Sequence, residues 1–400
     1  MTRDSGQLEA AIRHLAAIPR PSASEGEREA AEWLANELRA AGCRDVRVEE
    51  ERAHGTYWWP LGLLTGLAAL GGLAALRGRR LAGVLAGAFA AAGVAGDVGG
   101  GSLWFRRRAL PHRSTWNVVA EAGDPDARET VVFVGHHDAA HSGLLFHPAI
   151  PRFIADHFPQ LLERSDTTAP VMFPVFGGAA AVALGAALGI RTLLRVGTFL
   201  SAGSAASFAD IGARSVVPGA NDNLTGSVTV LGLAHALRER PVEGIRVLLV
   251  STGSEESFME GMHGFARRHF AALPTGHTRF VCVDTVGSEQ LIVLESEGML
   301  VMRPYPEWFK SLLSECAEAE GLELRRGLKF RNATDGLISL RAGYDTVMIG
   351  SVNRDTKLPA NYHWPTDTAD NVILDTVAQA VRLCEAVTRR LAGEAAPAPA

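Results

Sequence analysis

Apolar and polar positions along this chain follow three rhythms, and each predicts a different kind of element. Leu8 to Ile18 carries helical periodicity, and Ser24-Glu25-Gly26-Glu27 has the form of a capping box opening a helix to about Ala41. Leu224 to Arg238, Glu307 to Glu320 and Thr376 to Arg390 read as amphipathic helices. Shorter apolar runs predict strands at Val46–Val48, Asn117–Glu121, Thr130–Gly135, Ile245–Ser251, Thr278–Asp284, Leu291–Leu294 and Asp345–Ile349. Strands alternating with helices predict an α/β sheet with helices on both faces.

The third rhythm has no period at all. Tyr57 to Leu76 and Leu81 to Gly96 are uncharged, separated by Arg77-Gly78-Arg79-Arg80, and Asp97 alone interrupts before Trp104-Phe105. Ala169 to Ile190 is uncharged too, and a weaker stretch, Val196 to Ala209, follows Arg191 and Arg195. About 20 such residues span a bilayer core. The stretches are rich in Gly and Ala, with small-xxx-small spacings at Gly62/Gly66, Gly83/Gly87 and Gly185/Gly189 that suit close helix packing in lipid. Trp58, Trp59 and Trp104 would sit at the interface. The pattern divides the chain into domain segments 1–56, 106–168 and 211–392, two apolar helical hairpin insertions at 57–105 and 169–210, and an Ala/Pro-rich tail, 393–400, expected to fray.

These hairpins predict a multi-pass membrane protein, with lipid as a partner and a bacterial cell membrane as its place. An even number of crossings returns the chain to one side. No cleavable signal peptide is visible, since Met1 to Glu9 is polar. Arg106-Arg107-Arg108 favours a cytoplasmic α/β domain, whereas Arg77, Arg79, Arg80, Arg191 and Arg195 at the hairpin tips favour the reverse. The balance is read as cytoplasmic. Ala and Gly contribute little transfer energy, so a soluble cap or an oligomer interface stays open beside the membrane reading.

Composition narrows the class. The net charge of −5 points away from nucleic acid. Cys43, Cys282, Cys316 and Cys384 show no Cys-x-x-Cys spacing, which argues for buried thiols over a disulfide framework or a cysteine metal site. Oligomeric state is not legible.

Five short segments carry candidate chemistry: Gly135-His136-His137-Asp138, Pro218-Gly219-Ala220-Asn221-Asp222-Asn223, Gly253-Ser254-Glu255-Glu256, Val283-Asp284-Thr285 and Tyr362-His363-Trp364-Pro365-Thr366-Asp367-Thr368. Each alone is weak. Several end or follow an apolar run, and strand ends are where sites on open α/β sheets are built. Zinc takes imidazole and carboxylate ligands and, when catalytic, keeps a position for water. Two zincs about 3.5–4 Å apart can share a bridging carboxylate. Two histidines, a bridging Asp, one further carboxylate per metal and an unligated base complete that inventory.

In these motifs the chain resembles the co-catalytic di-zinc aminopeptidases, the family that includes bacterial leucyl aminopeptidases and vacuolar aminopeptidase Y. The resemblance implies that His136 and Asp284 bind one zinc, that Glu256 and His363 bind the other, and that Asp222 bridges them. It implies Glu255 as general base and Asp138 as the catalytic partner that orients His136, with Asp367 and Thr368 orienting the loop of His363. It further implies the zinc exopeptidase fold, an α/β fold with a mixed central β-sheet flanked by helices, and a zinc-dependent exopeptidase, foremost an aminopeptidase, with two Zn²⁺ ions and peptide substrates. His137, beside His136, should point the other way along the strand. His141, His147 and His263 read as solvated or loop histidines. Asp222-Asn223 could instead cap the following helix, and Glu255 and Glu256 could exchange roles. Every candidate lies outside both hairpins, which predicts that metal binding survives their removal. Open alternatives are a carboxypeptidase, a dipeptidase, a glutaminyl cyclase, or a non-catalytic membrane interaction protein on the same fold. A transporter lacks an ionisable pair within an apolar span.

Overall fold

Thr130 to Gly135 shows how the sheet is made. Val131 and Phe133 join one buried apolar cluster while Val132 and Val134 join another, so both faces of this strand are covered. The computed structural model describes residues 3–99 and 101–393. Its strands are β1 (Arg44–Ala53), β2 (Arg113–Gly123), β3 (Glu129–His136), β4 (Ile245–Thr252), β5 (Thr278–Val283), β6 (Gln290–Val293), β7 (Ser296–Glu297), β8 (Arg303–Pro304), β9 (Leu324–Arg325), β10 (Lys329–Phe330) and β11 (Asp345–Val352). Eight form the central sheet in the order β1-β2-β4-β3-β5-β11-β6-β9, and β10, β7 and β8 form a small second sheet. Strands β4, β3, β5 and β11 run parallel at its centre; β2 and β6 run antiparallel to their inner neighbours, so the sheet is mixed.

One face is covered by α1 (Arg3–Ala16), α2 (Glu25–Ala40), α10 (Thr225–Glu239), α12 (Glu307–Ala319) and α14 (Leu374–Leu391). The other meets α11 (Glu260–His269), α13 (Gly336–Arg341) and the apolar helices α3 (Trp58–Leu76), α4 (Arg80–Val94), α8 (Met172–Leu188) and α9 (Arg191–Ala213). Short helices α5 (Trp104–Ala109), α6 (Ala149–His157) and α7 (Pro159–Arg164) complete the chain. The expected elements all form. The first helix ends at Ala16, short of Ile18, and the first strand reaches far beyond Val46–Val48. Of the expected tail, all but Gly393 lies outside the described residues.

The two hairpins pack into one four-helix bundle. Gly87 of α4 lies so close to Ala179 and Ala183 of α8 that a side chain there would strike backbone, and Gly185 of α8 abuts Leu194 of α9 in the same way. Gly66 packs against nothing, so only part of the expected small-residue spacing serves the bundle. Two helices, Trp58–Leu76 and Arg80–Gly99, are long and apolar enough to cross a membrane; Met172–Leu188 is a shorter apolar helix. Helix α9 falls outside that class because Arg191, Arg195, Asp210 and several serines dilute its hydropathy.

Nor are the hairpins separate from the domain. Leu61 and Leu64 of α3, Val94 of α4 and Phe208 of α9 share one buried cluster with Val119, Val132 and Val134 of the sheet.

Candidate metal centre

The parallel strands deliver the site at their carboxyl ends, as open α/β sheets do. His136 is the last residue of β3, Glu255 and Glu256 follow β4, Asp284 follows β5, and His363 lies in the loop after β11. Asp222 comes from the turn Ala220–Leu224 ahead of α10. His136 Nε2 stands 3.4 Å from Asp222 Oδ1, 3.7 Å from Glu255 Oε2 and 3.8 Å from Asp284 Oδ2. His363 Nε2 stands 3.1 Å from Asp222 Oδ2 and 3.1 Å from Glu256 Oε2. The two oxygens of Asp222 therefore face two different imidazole–carboxylate groups. Among the described residues, ligand atoms of His136, Asp222 and Asp284 converge within 4.8 Å of one another, and so do those of Asp222, Glu256 and His363.

The surroundings hold these side chains by backbone. Asp138 Oδ1 lies 3.3 Å from His136 Nδ1, and its carboxylate accepts from Ser22 Oγ (2.6 Å), Glu255 N (3.0 Å) and Glu256 N (3.2 Å). It thus fixes the carboxylate pair as well as the imidazole. Asn223 accepts from Gly226 N at the helix start and from Thr285 N, while its amide donates to Val283 O. Asn223, not Asp222, serves the helix end, which leaves the Asp222 carboxylate for the site. Ser254, Thr285 and His363 have φ of 51°, 53° and 50°. Non-glycine residues hold such left-handed backbone only where surroundings impose it, a pattern concentrated at functional sites.

Several of these anchors have no local sequence signal. The buried Arg20 guanidinium donates to His137 O (2.6 Å), Pro218 O (2.6 Å) and Gly219 O (2.7 Å), tying the His136 and Asp222 segments together. Glu27 does not close the expected capping box by reaching back to Ser24 N. Its carboxylate accepts from Ala23 N, Thr115 Oγ1, and both Ser254 N and Ser254 Oγ, so it pins the loop that carries Glu255. Asp367 accepts from Asn221 N (2.7 Å) and Asp222 N (3.1 Å). It orients the Asp222 turn, whereas the resemblance implied the His363 loop. Thr368 Oγ1 accepts from Asn371 Nδ2. Asp335, at the start of α13, accepts from Thr252 Oγ1.

The other histidines sort cleanly. His137 points away from the cluster, with Nδ1 2.9 Å from Ser251 Oγ. His141 and His147 lie in loops, as expected, with their rings tilted against Trp58 (4.3 Å) and Trp364 (4.5 Å). His263 lies on helix α11, mostly buried beside Gly101, so it is neither a loop nor a solvated residue.

The electrostatics call for a cation. Burial would depress the His136 imidazole, yet Glu255, Asp138 and Asp222 outweigh it and push it well above the ordinary range. Burial likewise opposes the His363 charge, but Glu256 and Asp222 raise it to about 10. Burial raises Glu255 and Asp284 well above the usual carboxylate range, His136 opposing and neighbouring carboxylates adding to the rise. Burial also pushes Asp335 up to about 7, against the His136 charge. Glu256 Oε1 is buried with no hydrogen-bond donor. Carboxylates crowd here beyond what two imidazoles neutralise, in a donor set of nitrogen and oxygen. That set fits zinc.

Above the cluster opens a cleft walled by Phe330, Met348, Pro359 and Tyr362. Among the described residues lining it there is neither Arg nor Lys.

The fold is that of zinc exopeptidases. A zinc aminopeptidase from Bacillus subtilis superposes with a TM-score of 0.57 at 13% identity, over 96% of this chain and 95% of that one. An aminopeptidase from Aneurinibacillus sp. strain AM-1 gives 0.53 at 13%, over 96% and 93%. A glutaminyl cyclase from Fimbriiglobus ruber gives 0.54 at 14%, over 97% and 96%. No curated protein matches the sequence. His136 and Asp138 lie upstream of the one stretch with a family match: residues 205–388, which hold Asp222, Glu255, Glu256, Asp284 and His363, match the sequence profile of Peptidase family M28.

Proposed function

We propose that this chain is an M28 peptidase, a zinc-dependent exopeptidase that removes residues from peptide amino termini. The observation carrying this reading is the Asp222 carboxylate, turned with one oxygen toward His136 and the other toward His363. His136 and Asp284 would hold one ion, Glu256 and His363 a second, and Asp222 both. When bound, zinc supplies a Lewis acid that polarises a carbonyl and acidifies water.

The chain's own residues do the rest. Glu255, buried beside the cluster without approaching His363, accepts the proton of the attacking water at its carboxylate and returns it to the leaving amine nitrogen. Asp138 keeps the Glu255 backbone and the His136 ring in register. The carboxylate excess attracts a protonated substrate amine, while a cleft lined by neither Arg nor Lys offers nothing to a substrate carboxylate. That favours an aminopeptidase over a carboxypeptidase. Phe330, Met348 and Tyr362 would take an apolar terminal side chain.

Leucyl and alanyl anilides with free amines should be cleaved, and their N-acetyl counterparts should not. Chelation should abolish turnover and added zinc restore it. Cyclisation of an amino-terminal glutaminyl substrate without anilide hydrolysis would move the assignment to glutaminyl cyclases. Purified protein that takes up no zinc would make this a non-catalytic member of the fold.

Ligand sharing has its own signature. Asp222→Asn should weaken both metals together, whereas His363→Ala should chiefly strip one. Metal analysis that finds the same single-site loss in both variants would refute a shared Asp222.

The apolar bundle we assign to lipid, making the protein multi-pass. In support, 44% of the α3 span and 39% of the Arg80–Gly99 span are buried, which leaves more than half of each for lipid. The outward stripe Trp59-Leu63-Leu67-Leu70-Leu73 is apolar along nearly the whole helix, with Leu70 at 67% exposure. Helices that are apolar all round belong in a core or a bilayer.

A further inference from the structure

The bundle has two unlike ends. At its base, Tyr57 and Trp58 meet Phe258 and His141 of the domain, with Phe208 of α9 against Tyr57. At the far end the two hairpin turns come together, with Gly189 of the α8–α9 turn against the Arg80 guanidinium. Arg77, Arg79, Arg80, Arg191 and Arg195 are gathered there, all exposed. The hairpins hold no acidic residue near this tip. None of the five arginines forms an ion pair among the described residues.

The base carries less free charge than its sequence implies. Arg106 is fully buried, donating to Asp97 Oδ2 from Nε (3.2 Å) and Nη2 (3.0 Å), and its Nη1 lies 3.7 Å from Glu260. Arg214 is paired with Asp210 at 2.8 Å. Of the Arg106-Arg107-Arg108 run, Arg107 and Arg108 alone are exposed. Cationic charge in short loops stays with the cytoplasmic side, whereas folded domains translocate largely regardless of charge.

We infer that the arginine-capped tip of the bundle seats among the phosphates of the anionic cytoplasmic leaflet, which places the metal centre on the opposite, outer side of the membrane. This rests on the membrane reading of the bundle and reverses the cytoplasmic orientation expected from sequence. Five unpaired guanidiniums beyond an apolar belt complement anionic headgroups, the leaflet chemistry that draws polybasic segments. Helix α3, at 19 residues, is about 28 Å long, close to the ~30 Å hydrocarbon thickness. The tip therefore reaches the far headgroups when the base lies at the near ones. Substrates would then be peptides outside the cytoplasm.

Full-length protein expressed in a bacterial host tests both layers separately. It should sediment with membranes and resist salt and alkaline wash. Release into the soluble fraction, as a monomer or as a dimer joined through the bundle, would overturn the lipid assignment and the inference with it. In a Cys43→Ser background, Ile190→Cys reports the tip and Gly276→Cys reports the domain. A membrane-impermeant maleimide added to spheroplasts should label Gly276→Cys at once and Ile190→Cys only after permeabilisation. The reverse pattern in membrane-integrated protein would overturn the orientation and leave the lipid assignment standing. Converting all five tip arginines to glutamate should lower the fraction of Gly276→Cys labelled in spheroplasts. An unchanged fraction would show that the arginines do not set the orientation.

Discussion

Glu255→Gln should lower turnover by about 10²–10⁴ while leaving metal content at the wild-type value, because a general base contributes about that much. The loss corresponds to roughly 3–5 kcal/mol of barrier. Glutamine keeps the volume and the backbone hydrogen bond from Glu255 N to Asp138, so the loop should stay in place. It cannot accept the proton. The same exchange at Glu256 should behave differently: its carboxylate faces His363 at 3.1 Å, so Glu256→Gln should lose metal as well as rate. Metal analysis beside initial rates separates the two. Full activity in Glu255→Gln with metal retained would place the base elsewhere, and metal loss in that variant would exchange the roles of the two glutamates.

The fold and the metal-facing residues were legible because their signals are local. A strand announces itself by a short apolar run, and the His136, Glu255–Glu256 and Asp284 motifs stand at or just beyond the end of one. Arg20, Glu27, Asp335 and the hold of Asp367 on the Asp222 turn gave no such sign. Arg20 reaches Pro218 across 198 residues and Glu27 reaches Ser254 across 227. Nothing in the periodicity near residue 20 or 27 marks a partner so distant. Glu27 also satisfied a local rule, since Ser24-x-x-Glu27 matches a capping box, and the long-range demand won. Ser24 keeps its half of the motif by accepting from Glu27 N. The Glu27 carboxylate goes to the loop that carries Glu255, whose left-handed Ser254 needs holding. The hairpins were legible by lack of charge, but the one acid interrupting the first of them gave no sign of the buried ion pair it forms with Arg106.

That charge, Asp97, sets the second large expectation. Arg106→Met should destabilise the protein by about 3–5 kcal/mol, the typical result of removing one partner from a buried ion pair. Its guanidinium serves Asp97 from the first hairpin, Glu260 from the start of α11, and Ser257 O (2.7 Å) in the loop after Glu256. Glu260 meanwhile accepts from His54 N (2.9 Å), Gly55 N (3.0 Å) and Ser257 Oγ (2.7 Å). Burial raises its carboxyl, but the His54 hydrogen bond and the Arg106 charge overcome this and hold it at about 2. Without Arg106 the Asp97 carboxylate stays buried without its partner, Glu260 is left to its His54, Gly55 and Ser257 hydrogen bonds, and Phe258 and Met259, at φ of 68° and 56°, lose the neighbour that clamps their loop. The double variant Arg106→Met with Asp97→Asn should recover part of the loss, since the orphaned charge is gone; the excess over additivity measures the pairing. Unfolding in detergent, followed with metal content, decides it. An Arg106→Met midpoint equal to wild type would show that the pair stabilises nothing. The same network bears on excision of the hairpins. Cutting out 57–105 removes Asp97 together with Tyr57, which packs 5.4 Å from Phe258, so a Gly/Ser link there should cost metal binding along with stability. Replacing 169–210 removes no member of the buried charge network, so of the two excisions it is the one expected to keep the metal centre.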